Sequence, residues 1–239
     1  MKKVAVGFGI VGLVVVGIVT FLIININSVV KNSVEVVGSE VLGVEVGVAK
    51  VEISIFSGKG SISGLTVANP ADYDSPHAIT IDDLSVHVDA GSIGSDKIHI
   101  KEIIVDGASL TYEGNFLDSN IKQLQKAAET STGGTAEEGT DDAGAPNLQI
   151  DRLLLTNTSV SVHMSFLDQT LGLTLPTLEI NDLGEDEDAS VADVINEVLI
   201  ALNKSLVPLI RDNASGVTDK LKEVGEKVSD KLKGLFKRK

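Results

Sequence analysis

Four times this chain repeats one short pattern: Ile81-Asp82-Asp83-Leu84, Ile100-Lys101-Glu102-Ile103, Ile150-Asp151-Arg152-Leu153 and Ile180-Asn181-Asp182-Leu183. Alternating apolar residues run into each copy, as in Ile79/Ile81, Ile98/Ile100, Leu148/Ile150 and Leu178/Ile180. In the first three a second alternation runs out, as in Leu84/Val86/Val88, Ile103/Val105 and Leu153/Leu155. Across the two polar residues the apolar parity flips. A flat strand has a side-chain period of two, so a flip would send its halves to opposite faces. Two solutions exist. A bulge or sharp bend restores one face within a continuing strand. A tight turn ends the strand, although Lys-Glu and Asp-Arg lack the Asn-Gly or Gly-x chemistry of two-residue hairpins. The bend turns a sheet with one apolar face into a groove.

The chain of 239 residues suffices for one sizeable domain or two small ones. Aromatic residues make up 3% and tryptophan is absent, so the core must be Val, Ile and Leu, a smooth aliphatic lining equally suited to acyl chains. A net charge of −14 argues against nucleic acid as a partner. With no cysteine there is no disulfide or thiol chemistry.

Met1-Lys2-Lys3 precedes an uncharged stretch, residues 4–24. As a helix it spans about 32 Å, the thickness of a bilayer's hydrocarbon core. A cleaved signal peptide is the rival, but its apolar core is shorter, about 7–15 residues, and Asn25-Ile26-Asn27-Ser28 offers no small-residue cleavage site. Residues 1–26 are therefore expected to be a retained anchor, with Lys2 and Lys3 cytoplasmic and the rest of the chain outside. Residues 27–43 follow as a juxtamembrane helix with Val30, Val34, Val37 and Val41 at helical spacing, stopped at Gly43. The fold class expected is α+β: a transmembrane helix, a curved mostly antiparallel sheet over 44–184 forming a groove, and a long C-terminal helix. The sheet is expected to hold about eight to ten strands, giving a groove of about 40–50 Å at 4.8 Å per strand. A short helix is expected over 120–128. Residues 129–146, rich in Thr, Gly, Glu and Asp, are expected to be a disordered linker within the domain.

Several pieces in order carry a resemblance. They are Val44-Glu45-Val46, Phe56-Ser57-Gly58-Lys59-Gly60, and Gly64-Leu65-Thr66-Val67-Ala68-Asn69-Pro70 with Tyr73 and Pro76. Ile98 to Val105, Tyr112-Glu113, Ser119-Asn120-Ile121, Ile150-Asp151-Arg152-Leu153 and Leu175-Pro176 to Gly184 follow. Together they resemble a small AsmA-like protein over residues 30–200. The resemblance implies a single-pass bacterial inner-membrane anchor and a periplasmic, chorein-like β-groove. It also implies phospholipid as partner, since larger relatives are associated with moving phospholipid between membranes and with envelope homeostasis. The chain has only the terminal module, so one copy is not expected to bridge two membranes. The alternative is a tethered adaptor that binds other envelope proteins, or itself, without carrying lipid.

Lipid-groove candidates are some of Val46, Ile53, Ile62, Leu65, Ile81, Val86, Ile100 and Val105. No enzyme activity and no cofactor is expected. Asp82-Asp83 resembles an acid/base pair, but its counterparts are Lys-Glu, Asp-Arg and Asn-Asp, so any polar residue serves there. No serine has nucleophile-elbow or base context. His87, His99 and His163 fall at polar positions of alternating strands, and a composite metal site from His87, His99 and Asp89 lacks local ligand spacing. From 189 to 239 the spacing is helical, and Pro208 is expected to kink or split that helix.

Residues 216–239 carry eight Lys/Arg against four acids, with a stripe Val217/Leu221/Val224/Val228/Leu232/Leu235. Lys231, Lys233, Phe236, Lys237, Arg238 and Lys239 are the membrane-surface candidates. The same basic helix could equally lie on the chain's own acidic surface. Liposome flotation of protein lacking residues 1–27 separates the two. The membrane reading expects salt-sensitive binding to anionic vesicles that is lost when 216–239 are also removed; equal flotation with and without them sinks it.

Overall fold

The computed structural model describes residues 25–55, 57–93, 95–132, 147–164 and 170–236, with side chains as far as Ala214. The expected anchor, residues 4–24, lies outside the described residues. Among the described helices none is long and apolar enough to cross a membrane. The fold is α+β: a curled mixed sheet, a half-barrel, with helices packed on it. Helix α1 covers 25–42. The strands are β1 (Val46–Ser54), β2 (Lys59–Ala68), β3 (His77–Val88), β4 (Lys97–Asp106), β5 (Ser109–Gly114), β6 (Asn147–Thr156), β7 (Ser159–Met164), β8 (Leu171–Thr174) and β9 (Leu178–Leu183). Helix α2 (Asn120–Thr132) lies between β5 and β6, and α3 (Val191–Phe236) closes the order.

These nine strands lie only six abreast. β4 and β5 both pair with the same edge of β3 in one register, from Leu84↔Val105 to Ile79↔Leu110. β6 and β7 run parallel to them, each residue facing the one fifty positions earlier, from Lys97↔Asn147 to Gly114↔Met164. β9 and β8 likewise share one antiparallel register against β6 and β7. Each such pair is a single long strand broken at a corner. Five gaps of about 4.8 Å make the sheet about 24 Å across. The expected 40–50 Å is therefore corrected, because counting strands counts the corner-split ones twice.

The registers place Ala49, Gly64, Asp82, Gly107, Asn157 and Pro176 on one line across all six long strands. Gly64, Gly107 and Asn157 on this line have φ of +62°, +84° and +50°. The left-handed residue swings the strand and lets apolar residues three apart face the same side. Pairing continues across the corner through Gly107 N–H to Thr156 O (3.0 Å), Ser159 N–H to Ala108 O (2.8 Å) and Leu175 N–H to Thr158 O (2.9 Å). A second line passes Lys101, Asp151 and Asp182, the last at φ +57°. Against β3, Lys101 is a bulge: His87 pairs with Glu102 and Val88 with Ile100. All four sequence motifs thus lie inside strands β3, β4, β6 and β9, and none is a hairpin turn.

The sheet is mostly antiparallel, as expected, and mixed, since β4–β6 and β5–β7 are parallel. Two further expectations change. Residues 129–132, expected in the linker, complete α2; Ala128 is fully buried and Ser131 Oγ donates to Val41 O at 3.3 Å, fixing the last turn. Residues 133–146 lie outside the described residues. Pro208 does not split α3, which continues through it. The carbonyl that loses its partner is that of Lys204, an exposed residue, while buried Leu206 and Ile210 anchor the helix on either side. The helix begins in a reciprocal cap, with Ser190 N–H to Asp193 Oδ2 at 2.8 Å and Asp193 N–H to Ser190 Oγ at 3.2 Å.

A Cβ at Gly107 would meet nothing within 4 Å, but one at Gly64 would stand 2.7 Å from the Ala49 Cβ. Gly107→Ala should therefore cost only backbone strain, about 1 kcal/mol, and Gly64→Ala about 2–3 kcal/mol, in urea unfolding. Equal costs would mean that the corner line is not packed across strands.

Candidate functional site

Residues directly opposite in a sheet share a face. Following the registers from β1 outward gives one unbroken aliphatic face. On one side of the corner line it holds Val51 and Ile53, Ile62, Leu84, Val86 and Val88, Ile100, Ile103 and Val105, then Ile150, Leu153 and Leu155, and finally Leu178, Ile180 and Leu183. On the other it holds Val46 and Val48, Leu65 and Val67, Ile79 and Ile81, Leu110, Val160 and Leu173. All eight groove candidates, Val46, Ile53, Ile62, Leu65, Ile81, Val86, Ile100 and Val105, stand on this face.

The face is unequally covered. Helices α2 and α3 pack on each other and reach β5, β6 and β9. Ile121, Leu124, Leu206 and Ile210 are at most 1% exposed, and Val105, Leu110, Leu153, Leu155 and Val160 are buried beneath them in one cluster. Asn203 Nδ2–H donates to Gln125 Oε1 at 2.8 Å and ties the two helices together. Ile81 and Ile100 are half-buried at the margin of this cluster. Ile53, Ile62, Leu65 and Val86 are half-buried and do not belong to it. Val88 and Ile98 share that status; sequence parity alone could have added them. Val46 and Val105, at 6% and 3% exposed, are core residues rather than groove lining.

The open region borders α1. The Val46, Val48 and Ile53 amides on β1 are met by α1 side chains: Ser39 Oγ, Glu35 Oε1 and Asn27 Oδ1, each at 2.9 Å. Lys31 Nζ donates to Ala49 O at 3.4 Å. Asn27, Lys31, Glu35 and Ser39 recur every four residues, one stripe along a helix. That stripe is legible in the sequence beside the Val30/Val34/Val37/Val41 pattern. It satisfies an edge strand that would otherwise invite pairing.

The opposite face is polar. Arg152 bridges Glu102 (Nη1–Oε1 2.6 Å) and Glu179 (Nε–Oε1 3.1 Å), and the guanidinium holds Glu179 below the usual carboxylate range. His99 Nε2 lies 2.6 Å from Asp151 Oδ1, with Asp89 at 4.0 Å from Nδ1. The Gly91 N–H and then Lys101 lower the Asp89 pKa. Among the described residues no cluster of three His or carboxylate groups is arranged to hold a metal.

One buried polar network stands apart. Glu113, 5% exposed, accepts from Ser75 N–H (3.0 Å) and the Ser75 hydroxyl on Oε1, and from Asp74 N–H (3.0 Å) and Asn69 Nδ2 (3.3 Å) on Oε2. Buried Asn120 donates to Asn69 Oδ1 (2.8 Å) and Thr111 O (2.7 Å), and its Oδ1 accepts from Glu113 N–H (2.9 Å). Tyr112 lies beneath, its hydroxyl pKa raised by burial. The network pins loop 69–76 to β5 and the start of α2. It has the character of a structural lock, because every carboxylate oxygen is already engaged.

Of the membrane-surface candidates, Lys231, Lys233 and Phe236 fall on the α3 backbone beyond Ala214, where side chains are not described. Lys237, Arg238 and Lys239 lie outside the described residues.

No protein-family model matches the chain, and no curated protein matches it. The function is therefore argued from the two faces themselves.

Each Glu113 oxygen accepts a backbone N–H, so an amide nitrogen placed at either position would oppose a donor. Glu113→Gln should cost about 2–3 kcal/mol in chemical denaturation despite its near-identical shape. Wild-type stability in that variant would show that the carboxylate is not essential to the lock.

Proposed function

We propose that this chain is a membrane-tethered phospholipid-binding module whose curled sheet takes acyl chains on its open aliphatic region. The observation that carries this reading is the half-buried set Ile53, Ile62, Leu65 and Val86, which stand on the same aliphatic face as the core under α2 and α3 but do not belong to its cluster. Branched aliphatic side chains left partly in water retain a burial gain of about 25 cal/mol per Å² for an apolar occupant. An acyl chain suits this surface, which offers neither aromatic rings nor polar anchors.

The second support is placement. The apolar stretch 4–24 runs directly into α1, and α1 is bonded along β1 at the open end. An anchor there brings the trough against a bilayer. The charge rule at Lys2 and Lys3 and the resemblance to AsmA-like proteins support the same reading, with the anchor in a bacterial inner membrane, the N-terminus cytoplasmic and the sheet periplasmic. The whole sheet is only about 24 Å across, too short to join two membranes, so the role is local: holding or presenting a lipid in envelope homeostasis.

Protein lacking residues 1–24, purified from cells and extracted for mass spectrometry, should carry phospholipid. Ile62→Asp with Leu65→Asp should lower that lipid at least tenfold with unchanged far-UV circular dichroism. Val105→Asp, which buries a charge in the core, should fail to fold. Folded wild-type protein free of lipid would overturn this function in favour of an adaptor.

A further inference from the structure

The long C-terminal helix carries an internal repeat that the sheet does not use. Val217-Thr218-Asp219-Lys220-Leu221-Lys222-Glu223-Val224 returns eleven residues later as Val228-Ser229-Asp230-Lys231-Leu232-Lys233-Gly234-Leu235. We propose that this repeat is a peripheral docking helix for an anionic phospholipid surface, set at the pole of the module opposite the start of α1. The contact is separate from the acyl-chain trough and does not depend on it.

The spacing selects a flat surface over a second helix. Eleven residues make three helical turns to within about 20°, so the two copies stack on one side of a straight helix. A left-handed coiled coil needs a period of about 3.5. Continuing Leu221, Val224 and Val228 at that period reaches Lys231 instead of an apolar residue. At about 100° per residue the six apolar positions of the repeat fall within an arc of about 80°. Lys220, Lys227 and Lys231 border that arc, whereas Asp219, Glu223, Glu226 and Asp230 gather on the far side. With eight Lys/Arg against four acids over residues 216–239, apolar burial and charge attraction favour the same anionic surface.

The fold carries this segment away from the acidic body of the chain. α1 starts beside Ile53, whose N–H donates to Asn27 Oδ1, and ends beside Val46, whose N–H donates to Ser39 Oγ. α3 starts on the Ile53 side of the corner line, where Leu148 N–H donates to Ala189 O (2.9 Å) and Gly184 N–H to Glu197 Oε2 (3.1 Å). It crosses α2 at Asn203, and Arg211 stands over the Phe116 ring (5.6 Å), just past the end of β5. Both helices thus run from one pole of the sheet to the other. α3 is one helix from Val191 to Phe236, and no proline follows Arg211 to kink it. Its residues after Ala214 therefore continue the same course for about 33 Å, at 1.5 Å each. A continuous helix has no turn with which to fold back over the sheet. The reach comes from α3 and not from the width of the sheet.

The chain contains no cysteine, so one introduced cysteine takes an environment-sensitive nitrobenzoxadiazole label at a single site. Purified full chain in phosphatidylcholine nanodiscs carries the label at Leu221→Cys or Val228→Cys on the stripe, or at Asp219→Cys or Asp230→Cys opposite it. Adding phosphatidylglycerol vesicles should raise the emission at least twofold, with a blue shift, at the two stripe positions and leave the two opposite positions unchanged. Phosphatidylcholine vesicles should change none of them. Lys220→Gln with Lys227→Gln and Lys231→Gln should cut the Val228→Cys response at least threefold. The proposal is overturned by no response at any position, by equal response on both sides of the helix, by equal response to neutral vesicles, or by an undiminished response in the lysine variant. A stripe label already in an apolar setting before vesicles are added also overturns it, and names the chain's own surface, a second copy or the anchoring bilayer as the occupant. No label sits on the sheet, so the acyl-chain reading stands or falls separately.

Discussion

Everything in this molecule depends on one line of backbone corners. A strand alternates sides with every residue, so six strands whose apolar residues are spaced by three at one point would each break the apolar face. Because the breaks at Ala49, Gly64, Asp82, Gly107, Asn157 and Pro176 fall in register, each strand turns where its neighbours turn. Left-handed conformations at Gly64, Gly107 and Asn157 supply the bend. The ladder of hydrogen bonds passes through the corner rather than ending there. A single misplaced corner would instead leave a row of aliphatic side chains facing water, at about 1.5–3 kcal/mol for each large one.

With the face made continuous, the helices decide its use. α1 spends a stripe of four polar residues on the amides and a carbonyl of β1, which blocks strand addition at that edge, while Val41 and Leu42 at its end join the core with Val46. α2 and α3 take the other end and complete a core of Leu, Ile and Val in the absence of tryptophan. Unequal coverage of one uniform surface is what separates core from candidate trough, and no difference in residue type marks the boundary.

The Glu113 network accounts for another feature of the sequence. Asn69, Glu113, Ser119 and Asn120 are polar residues far apart in the chain, and three of them are buried. Together Asn69, Glu113 and Asn120 fasten loop 69–76 across the end of β5, where a buried carboxylate needs every donor it has. Residues of this kind report on folding. The residues proposed to meet lipid, Ile53, Ile62, Leu65 and Val86, are interchangeable aliphatics and report on little by themselves.

The sequence by itself determined that the apolar parity flips at four apolar–polar–polar–apolar steps, which only a bend or a turn can accommodate, and that a long helix ends the chain. Those follow from local rules: a period of two, a flip in parity, and a three- and four-residue stripe. It also held the fifty-residue offset between Ile98-His99-Ile100 and Leu148-Gln149-Ile150, whose meaning as a parallel pair shows only once β4 and β6 lie side by side. Only the tertiary structure decided that nine strands lie six abreast, that Val46 and Val105 are core while Ile62 and Leu65 are not, and that Pro208 leaves α3 whole. Such outcomes depend on which element lies over which. That is settled by contacts between residues far apart in the chain, such as Asn203 with Gln125, and no local pattern encodes it.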